Sequence, residues 1–210
     1  MKKLSRRYIC VGCIVILIIL FYAAMQKVVF VTNREFYNGA MGIIDTSLTE
    51  QYDNVIFSGK VTNDNSRSHG DSLVSFLRDS GYNDVIYYYS AINEENKITS
   101  QTILNGLEWM KERGVKRINL SLSTCVYNQD IASWIKNNQD IQIYASYSNL
   151  KNSIDYPAMY EDVVGCGFLN GILYKEKDVV YESNKLIICN DKIRYYNGTS
   201  YLSLYTMITQ

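Results

Sequence analysis

The chain has a single histidine among its 210 residues and no net charge, since 21 basic residues balance 21 acidic ones. Balanced charge creates no field that would attract nucleic acid, and no basic run follows the first seven residues. We therefore expect no nucleic-acid partner. Beyond the N-terminal segment there is neither a second histidine nor a Cys-x-x-Cys pair, which argues against a metal site built from His and Cys side chains. We expect no cofactor, and the sequence leaves calcium binding open.

Cysteine is also sparse. Cys10 and Cys13 lie in an apolar N-terminal run, which leaves Cys125, Cys166 and Cys189 and thus at most one internal disulfide. The sequence contains no repeats or low-complexity segments. The roughly 180 residues that follow the N-terminal segment are enough for one domain with one sizeable core.

The N-terminus has the composition of a membrane-targeting segment. Residues 1–8 are basic, and residues 9–25 form an uncharged run rich in Ile, Leu and Val. This pattern indicates a transmembrane anchor or a signal peptide. Tyr22 stands where a cleavage site needs a small residue, which favours an uncleaved anchor. A buried core helix is a third interpretation, disfavoured because no polar stripe interrupts the run.

Charge then predicts how the chain is oriented. The basic residues 1–8 should stay in the cytoplasm, because positive charge flanking an apolar span favours that side. We therefore expect a single-pass protein of the cell membrane, with a linker over residues 26–38 and a compact extracellular domain over residues 39–210.

Strand and helix patterns alternate along this domain. A strand pattern covers residues 40–44, 55–60, 84–91, 116–122, 141–145 and 162–167, and a helix pattern covers residues 68–79, 99–113 and 128–138. This alternation predicts an α/β fold with a parallel sheet covered on both faces. From residue 171 a two-residue alternation predicts hairpins, before a last helix near Thr199.

Three residues in the order Asp, His, Ser suggest a nucleophilic hydrolase. Asp45 ends a predicted strand, whereas His69 and Ser200 each begin a predicted helix, which suits the carboxyl edge of a parallel sheet. A serine hydroxyl needs a base to accept its proton, and a carboxylate can hold a histidine in the required tautomer. A helix that starts at Ser200 would also direct backbone N–H groups toward a developing oxyanion. The plainer interpretations are a core or surface histidine and a helix-capping Asp45.

Several motifs carry a resemblance to a known family. Residues 103–109 with 117–123, residues 156–160 with 163–167, and Asn197-Gly198-Thr199-Ser200 resemble segments of the subtilisin-like serine proteases, or subtilases, in the same order. The resemblance covers roughly residues 39–206, and the hairpin region matches least. It identifies the chain as similar to a short, membrane-anchored subtilase and implies a doubly wound, mostly parallel sheet flanked by helices.

The resemblance also implies roles for individual residues. Ser200 would be the nucleophile, His69 the general base and then acid, and Asp45 the residue that orients the histidine. Asn149 falls at the position of the side-chain oxyanion donor. The remaining matches concern substrate binding: Ser121, Leu122 and Ser123 on the edge strand that pairs with the substrate backbone, and Ser148 near the specificity pocket.

Ordinary structural roles stay open for the same positions. Asn149 can be a turn residue, residues 121–123 an ordinary strand end, and Asn197-Gly198-Thr199 a glycosylation acceptor. The chain also departs from the family pattern at Ser47, at Asp71-Ser72 and after Ser200. Ten residues of helix after Ser200 reach only about 15 Å, so we expect part of the sheet to be bare or covered by a partner or the membrane. Residues 26–38 are too few for the propeptide that helps secreted members fold.

Two functions of different classes follow. The first is a membrane-anchored serine endopeptidase that cuts a peptide or protein outside the cell. The second is a catalytically inactive subtilase-like protein that binds a peptide or a membrane partner in its groove. An esterase that uses the same three residues is a third possibility.

The sequence predicts an unusual cleavage preference. Ser123 and Ser148 stand where the family usually has glycines near the first specificity pocket, and their side chains should narrow it. We expect a small or otherwise atypical residue before the cut. Cleavage of a peptide library measures this preference, and a preference for large aromatic residues there would reject it.

Overall fold

The computed structural model describes residues 2–25, 27–32, 35–59, 68–150, 154–169, 171 and 174–210. The helices are α1 (Lys2–Met25), α2 (His69–Ser80), α3 (Ser100–Glu112), α4 (Gln129–Asn137) and α5 (Thr199–Thr209). The strands are β1 (Val29–Val31), β2 (Met41–Asp45), β3 (Val55–Ser58), β4 (Ile86–Ser90), β5 (Arg117–Leu120), β6 (Gln142–Ser146), β7 (Val163–Phe168), β8 (Val179–Tyr181), β9 (Lys185–Cys189) and β10 (Ile193–Asn197).

Seven strands form the main sheet, in the order β3-β4-β2-β5-β6-β7-β8. Every neighbouring pair in this sheet is parallel. Parallel strands need crossover connections. Helices α2, α3 and α4 lie in the connections from β3 to β4, from β4 to β5 and from β5 to β6. The predicted α/β class, with a parallel sheet flanked by helices, is confirmed.

Both faces of the central strand β2 are buried. On β2, Met41 and Ile43 pack into a core with residues of α2 and α5, whereas Ile44 packs into a second core with residues of α3 and α4. Successive side chains of a strand point to opposite faces, so an unbroken apolar run suits a strand that is covered on both sides.

The start of α2 is fixed by local hydrogen bonds. The Ser68 hydroxyl accepts from the Asp71 N–H at 3.0 Å, and the Asp71 carboxylate accepts from the Ser68 N–H at 3.0 Å. These two bonds make a capping box. The helix ends at Gly81, whose φ of 94° lies in the left-handed region that favours glycine. The helix predicted over residues 68–79 is thus observed at His69–Ser80.

A second sheet of three strands, in the order β1-β9-β10, joins the two ends of the domain. β1 lies within the predicted linker and pairs in parallel with β9, so this stretch is part of the folded domain. β9 and β10 form the predicted antiparallel hairpin. The hairpin prediction does not hold for β8, which pairs in parallel with β7 and extends the main sheet.

The last helix is covered by its own chain. Leu204, Met207 and Ile208 on α5 are fully buried. At its C-terminal end the Ile208 carbonyl accepts from the Tyr37 N–H at 2.8 Å, and the Arg117 guanidinium donates to the Met207 carbonyl at 2.7 Å. α5 is therefore held by its own chain, and the expected bare or partner-covered part of the sheet stays a prediction.

α1 includes the residues of the predicted anchor. Its side chains are described only over residues 11–22, and all of these are exposed. Among the described residues, no helix combines the length and apolar character needed to cross a membrane. The basic side chains of residues 1–8 and both ends of the apolar run 9–25 lie outside the described side chains. The anchor stays a prediction.

The Asp71 carboxylate also holds the loop after β2. It is fully buried and accepts hydrogen bonds from the Thr49 N–H and hydroxyl and from the Tyr52 hydroxyl, in addition to those from Ser68. Burial raises the pKa of Asp71, but the hydrogen bonds from Thr49 and Ser68 outweigh burial and lower the pKa below its ordinary value. Asp71 therefore ties the loop to the start of α2.

Replacing Asp71 by asparagine should lower the free energy of unfolding by about 3 kcal/mol at neutral pH, because an amide group would face several donors. The folded pKa of Asp71 is lowered, so its stabilisation is present above the ordinary aspartate pKa and is lost as the pH falls through the folded value. Urea unfolding of both chains at several pH values measures this. Asp53→Asn, on the exposed surface, is the control. A difference that persists unchanged into strong acid would contradict the assignment.

Candidate active site

Asp45 and His69 meet at the carboxyl edge of the main sheet. Asp45 is the last residue of β2 and is 1% exposed, and His69 is the first residue of α2. His69 Nδ1 lies 2.7 Å from Asp45 Oδ1. An ionised carboxylate only accepts hydrogen bonds, so Nδ1 donates and Nε2 is left as the acceptor. The histidine side chain is 40% exposed, which leaves it open to a second partner.

The backbone after β2 fixes this pair. The Thr46 N–H donates to Asp45 Oδ1 at 2.7 Å, and the Thr46 hydroxyl accepts from the Gly70 N–H at 3.0 Å. The Tyr88 hydroxyl donates to the Thr46 carbonyl at 2.7 Å. A Cβ at Gly70 would collide with that hydroxyl, which explains glycine after the histidine. The segment after β2 and the start of α2 are therefore packed closely enough to hold the imidazole against the carboxylate.

The carboxylate changes the titration of the histidine. Burial lowers the pKa of His69, but the hydrogen bond to Asp45 and the negative charge of Asp45 outweigh burial and raise the pKa above the ordinary value of 6.5. The pair can thus stabilise an imidazolium, as a proton-accepting base requires.

Ser200 is the second residue of α5 and is half-buried. Gly198 precedes the helix with a φ of 137°, a value that favours glycine. The Ser200 carbonyl accepts from the Ser203 hydroxyl at 2.9 Å and from the Ser121 hydroxyl at 3.3 Å. Among the described residues, no hydrogen bond joins the Ser200 hydroxyl to His69. The backbone of Ser200 is therefore held by hydrogen bonds, whereas its hydroxyl makes no hydrogen bond to His69 among the described residues.

A buried amide side chain makes hydrogen bonds near the start of α5. Asn119, on β5, donates from Nδ2 to the Ser203 hydroxyl at 2.8 Å and accepts from the Ser121 hydroxyl at 2.6 Å. Asn119 and Ser203 are fully buried. Sequence reasoning assigned no role to either residue. The available signal was a polar side chain inside an apolar strand, since a buried amide needs partners.

Asn149 lies against the first residues of α5. Its Oδ1 accepts from the Thr199 N–H at 3.2 Å and from Asn184 Nδ2 at 3.3 Å. These bonds orient the amide so that Nδ2 is the remaining donor group. A Cβ placed on Gly198 would lie 3.8 Å from that nitrogen. The structure thus places an amide donor beside the start of the helix that carries Ser200.

The four predicted substrate-binding residues lie in different settings. The Ser121 side chain is buried in the network behind Ser200, while Leu122 and Ser123 line a cavity of 340 Å³. The Ser148 hydroxyl accepts from the Leu150 N–H at 3.0 Å, and Ser148 is not among the cavity's lining residues. The other walls of the cavity come from residues that flank α3, α4 and the Tyr156-Pro157 turn: Ile98, Thr99, Ser100, Ile103, Thr124, Val126, Asn128, Ile131, Tyr156, Pro157 and Tyr160.

The described residues include no group of three His, Cys, Asp or Glu side chains placed to hold a metal ion. Cys125 and Cys189 are exposed and free, and Cys166 is buried and free. No cysteine of the described part lies in a disulfide.

Replacing Asp45 by asparagine should lower the pKa of His69, because burial then acts without an opposing carboxylate. A raised folded pKa means that this group's stabilisation is complete below the ordinary histidine pKa and is lost as the pH rises through the folded value. NMR titration of the ring protons measures the midpoint without assignment, since His69 is the only histidine. Asp53→Asn is the control. An unchanged midpoint in Asp45→Asn would show that the pair does not persist in solution.

Comparison with known proteins identifies the fold. No family model matches the chain, and no curated protein matches its sequence. A psychrophilic subtilisin-like protease, Apa1, from the Antarctic psychrotroph Pseudoalteromonas sp. AS-11 matches 70% of this chain with a TM-score of 0.57 and 14% identity. The prenylagaramide maturation protease PagA matches 80% of it with a TM-score of 0.62 and 12% identity. The chain spans 41% of the first protein and 72% of the second. These likenesses show that the chain has a subtilisin-like fold.

Proposed function

We propose that the chain is a serine endopeptidase that uses Ser200, His69 and Asp45. The observation that carries the proposal is the 2.7 Å contact between His69 Nδ1 and Asp45 Oδ1. It joins the only histidine of the chain to a buried carboxylate at the sheet edge where an α/β fold keeps its reactive groups. The subtilisin-like fold of the chain supports the same assignment.

The proposed reaction moves one proton through His69. As the Ser200 oxygen attacks the peptide carbonyl, Nε2 of His69 takes the hydroxyl proton and the Asp45 carboxylate stabilises the imidazolium. The imidazolium then gives this proton to the leaving amine, so that an acyl-serine remains. Water repeats the same two steps and releases the acid. Asn149 Nδ2 and the backbone N–H groups at the start of α5 are the donors proposed for the oxyanion.

The substrate is proposed to be an extended peptide that lies along residues 121–123. Leu122 and Ser123 leave the sheet beside the 340 Å³ cavity, whose walls include Ile103, Ile131 and Tyr156. A pocket with such walls suits an apolar side chain of the peptide, while backbone hydrogen bonds to the strand end align the scissile bond.

We also propose that residues 9–25 hold the domain at the cell membrane, with residues 1–8 in the cytoplasm and the catalytic domain outside. The basic residues ahead of the apolar run support this orientation. Within the run, the large apolar side chains from Val11 to Phe21 are exposed, as lipid-facing side chains would be. The substrate would then be a peptide or protein presented close to the membrane.

The second candidate is a catalytically inactive protein that binds a peptide in the same groove. The missing hydrogen bond between Ser200 and His69, among the described residues, favours it. The observation is compatible with an enzyme as well, because catalytic hydrogen bonds are often long before substrate binds.

A fluorophosphonate probe separates these functions. The membrane-bound chain should be labelled, because an activated serine attacks the probe's phosphorus, and labelling should disappear in Ser200→Ala and in His69→Ala. Ser133→Ala, on α4, is the matched control and should label normally. Thermal unfolding checks that each variant is folded. A folded parent chain that does not label would favour the peptide-binding function.

A further inference from the structure

The small sheet β1-β9-β10 buries one of its faces. Val31, Leu186 and Ile188 are fully buried in the core that also holds residues of α2 and α5. Successive side chains of a strand point to opposite faces, so the alternate positions of these strands point outward. These positions form what we call the outer face: Phe30, Lys185, Ile187, Cys189, Ile193, Tyr195 and Asn197.

Most of the outer face is apolar, and its side chains are neighbours. Ile193 is 79% exposed, Tyr195 58% and Phe30 39%. Phe30 and Tyr195 both lie opposite Ile187 in the strand register, and Ile193 lies opposite Cys189. A contiguous exposed apolar patch on a folded domain marks a surface that binds a protein or a membrane.

The chain itself holds this surface close to its apolar N-terminal run. Residues 9–25 form that run, and β1 begins at Val29, four positions after its end. Four residues of fully extended chain span at most about 14 Å. A short tether keeps two linked surfaces at a high effective concentration, so even a weak contact between the outer face and the bilayer would persist.

The residue types of the outer face match the surface of a bilayer. Tyrosine is enriched where headgroups meet water, because its ring is apolar and its hydroxyl is polar. Phe30 and Ile193 can enter the boundary between headgroups and acyl chains. Lys185 is exposed at one end of the face and can extend its amine to a lipid phosphate. The outward positions of the three strands, all of which the structure describes, include no acidic residue to repel anionic lipids.

We propose that the outer face is a second membrane contact, which lies in the headgroup region of the bilayer that holds residues 9–25. This inference rests on the membrane location proposed above and is independent of the chemistry of Ser200. The face is joined closely to the candidate site, because β10 ends at Asn197 and the next N–H, that of Gly198, donates to the Asn184 carbonyl at 2.9 Å. Docking of the face would therefore fix the orientation of the candidate site relative to the bilayer.

Fluorescence quenching by lipid tests this contact. The full-length chain is placed in vesicles of phosphatidylcholine and phosphatidylglycerol, with and without a nitroxide-labelled lipid. A fluorophore is attached to Cys189 or, as the control position, to the cysteine introduced by Lys136→Cys, and every other cysteine except the buried Cys166 is replaced by serine. Position 136 is exposed on α4, which packs on the opposite face of the main sheet from the small sheet. About a tenfold preference for the docked state keeps the face on the bilayer about 90% of the time, so quenching should be several-fold stronger at Cys189.

Substitutions on the outer face should release it. Phe30→Ser/Ile193→Ser should lower the quenching at Cys189 to the level of position 136, because the apolar contact is lost. Ile56→Ser/Val85→Ser, which changes two exposed apolar residues outside the outer face, is the matched control and should leave the quenching unchanged. Lys185→Glu should weaken quenching on vesicles with phosphatidylglycerol and leave it unchanged on phosphatidylcholine alone. Thermal unfolding checks that each variant is folded.

The other outcomes overturn the proposal, each at a different step. Flotation of the vesicles at high pH reports the anchor separately, and a chain that does not float with them would remove the membrane location itself. Equal quenching at both positions in a chain that floats would leave the anchor and refute the docked face. A disulfide between two Cys189 thiols that forms in vesicles and in detergent alike would assign the face to a second copy of the chain. Labelling by the fluorophosphonate probe tests the proposed catalytic function independently of all these results.

Discussion

The parallel pairing of β2 with both β4 and β5 is the constraint on which the candidate site depends. Parallel strands end at the same edge of a sheet, so the segments that follow them meet there, although they are far apart in the chain. Asp45 ends β2, residues 121–123 follow β5, and Asn149 follows β6. α5 packs on β5, β6 and β7, and its first turn hydrogen-bonds to Ser121 and Asn149. The order and direction of the strands therefore bring the residues of the candidate site to one edge of the sheet.

The sequence was sufficient to predict those strands and helices whose pattern was local and strong. The strand predicted over residues 40–44 is observed at Met41–Asp45, and the helix predicted over residues 99–113 is observed at Ser100–Glu112. Apolar runs and capping residues act within a few positions, so they can be read without knowledge of the partners. The juxtaposition of Asp45 with His69 was predictable for a related reason, because each stands at the end of such an element.

Features that depend on distant partners were not predictable in the same way. β1 is three residues long and pairs with β9, from the far end of the domain, so nothing near Val29–Val31 distinguishes a strand from a linker. The alternation in β8 fits an antiparallel hairpin as well as a parallel edge strand, and only the position of β7 decides. Similarly, the Lys175 amine donates to the backbone carbonyls of Ala158, Tyr160 and Val163, and a sequence does not show where carbonyls converge.

The two halves of the candidate site are fixed by different means. His69 is held through its side chain, by a hydrogen bond to Asp45. Ser200 is held through its backbone, because its carbonyl accepts from Ser203, and Asn119 in turn donates to Ser203. Loss of a partner in this buried network would leave a polar group unsatisfied, so the network sets the position of the first turn of α5 against β5. With the backbone fixed, the freedom that remains to the Ser200 hydroxyl is rotation about one side-chain torsion with three staggered positions. A change of rotamer is therefore the movement by which the Ser200 hydroxyl can change its direction while the fold stays in place.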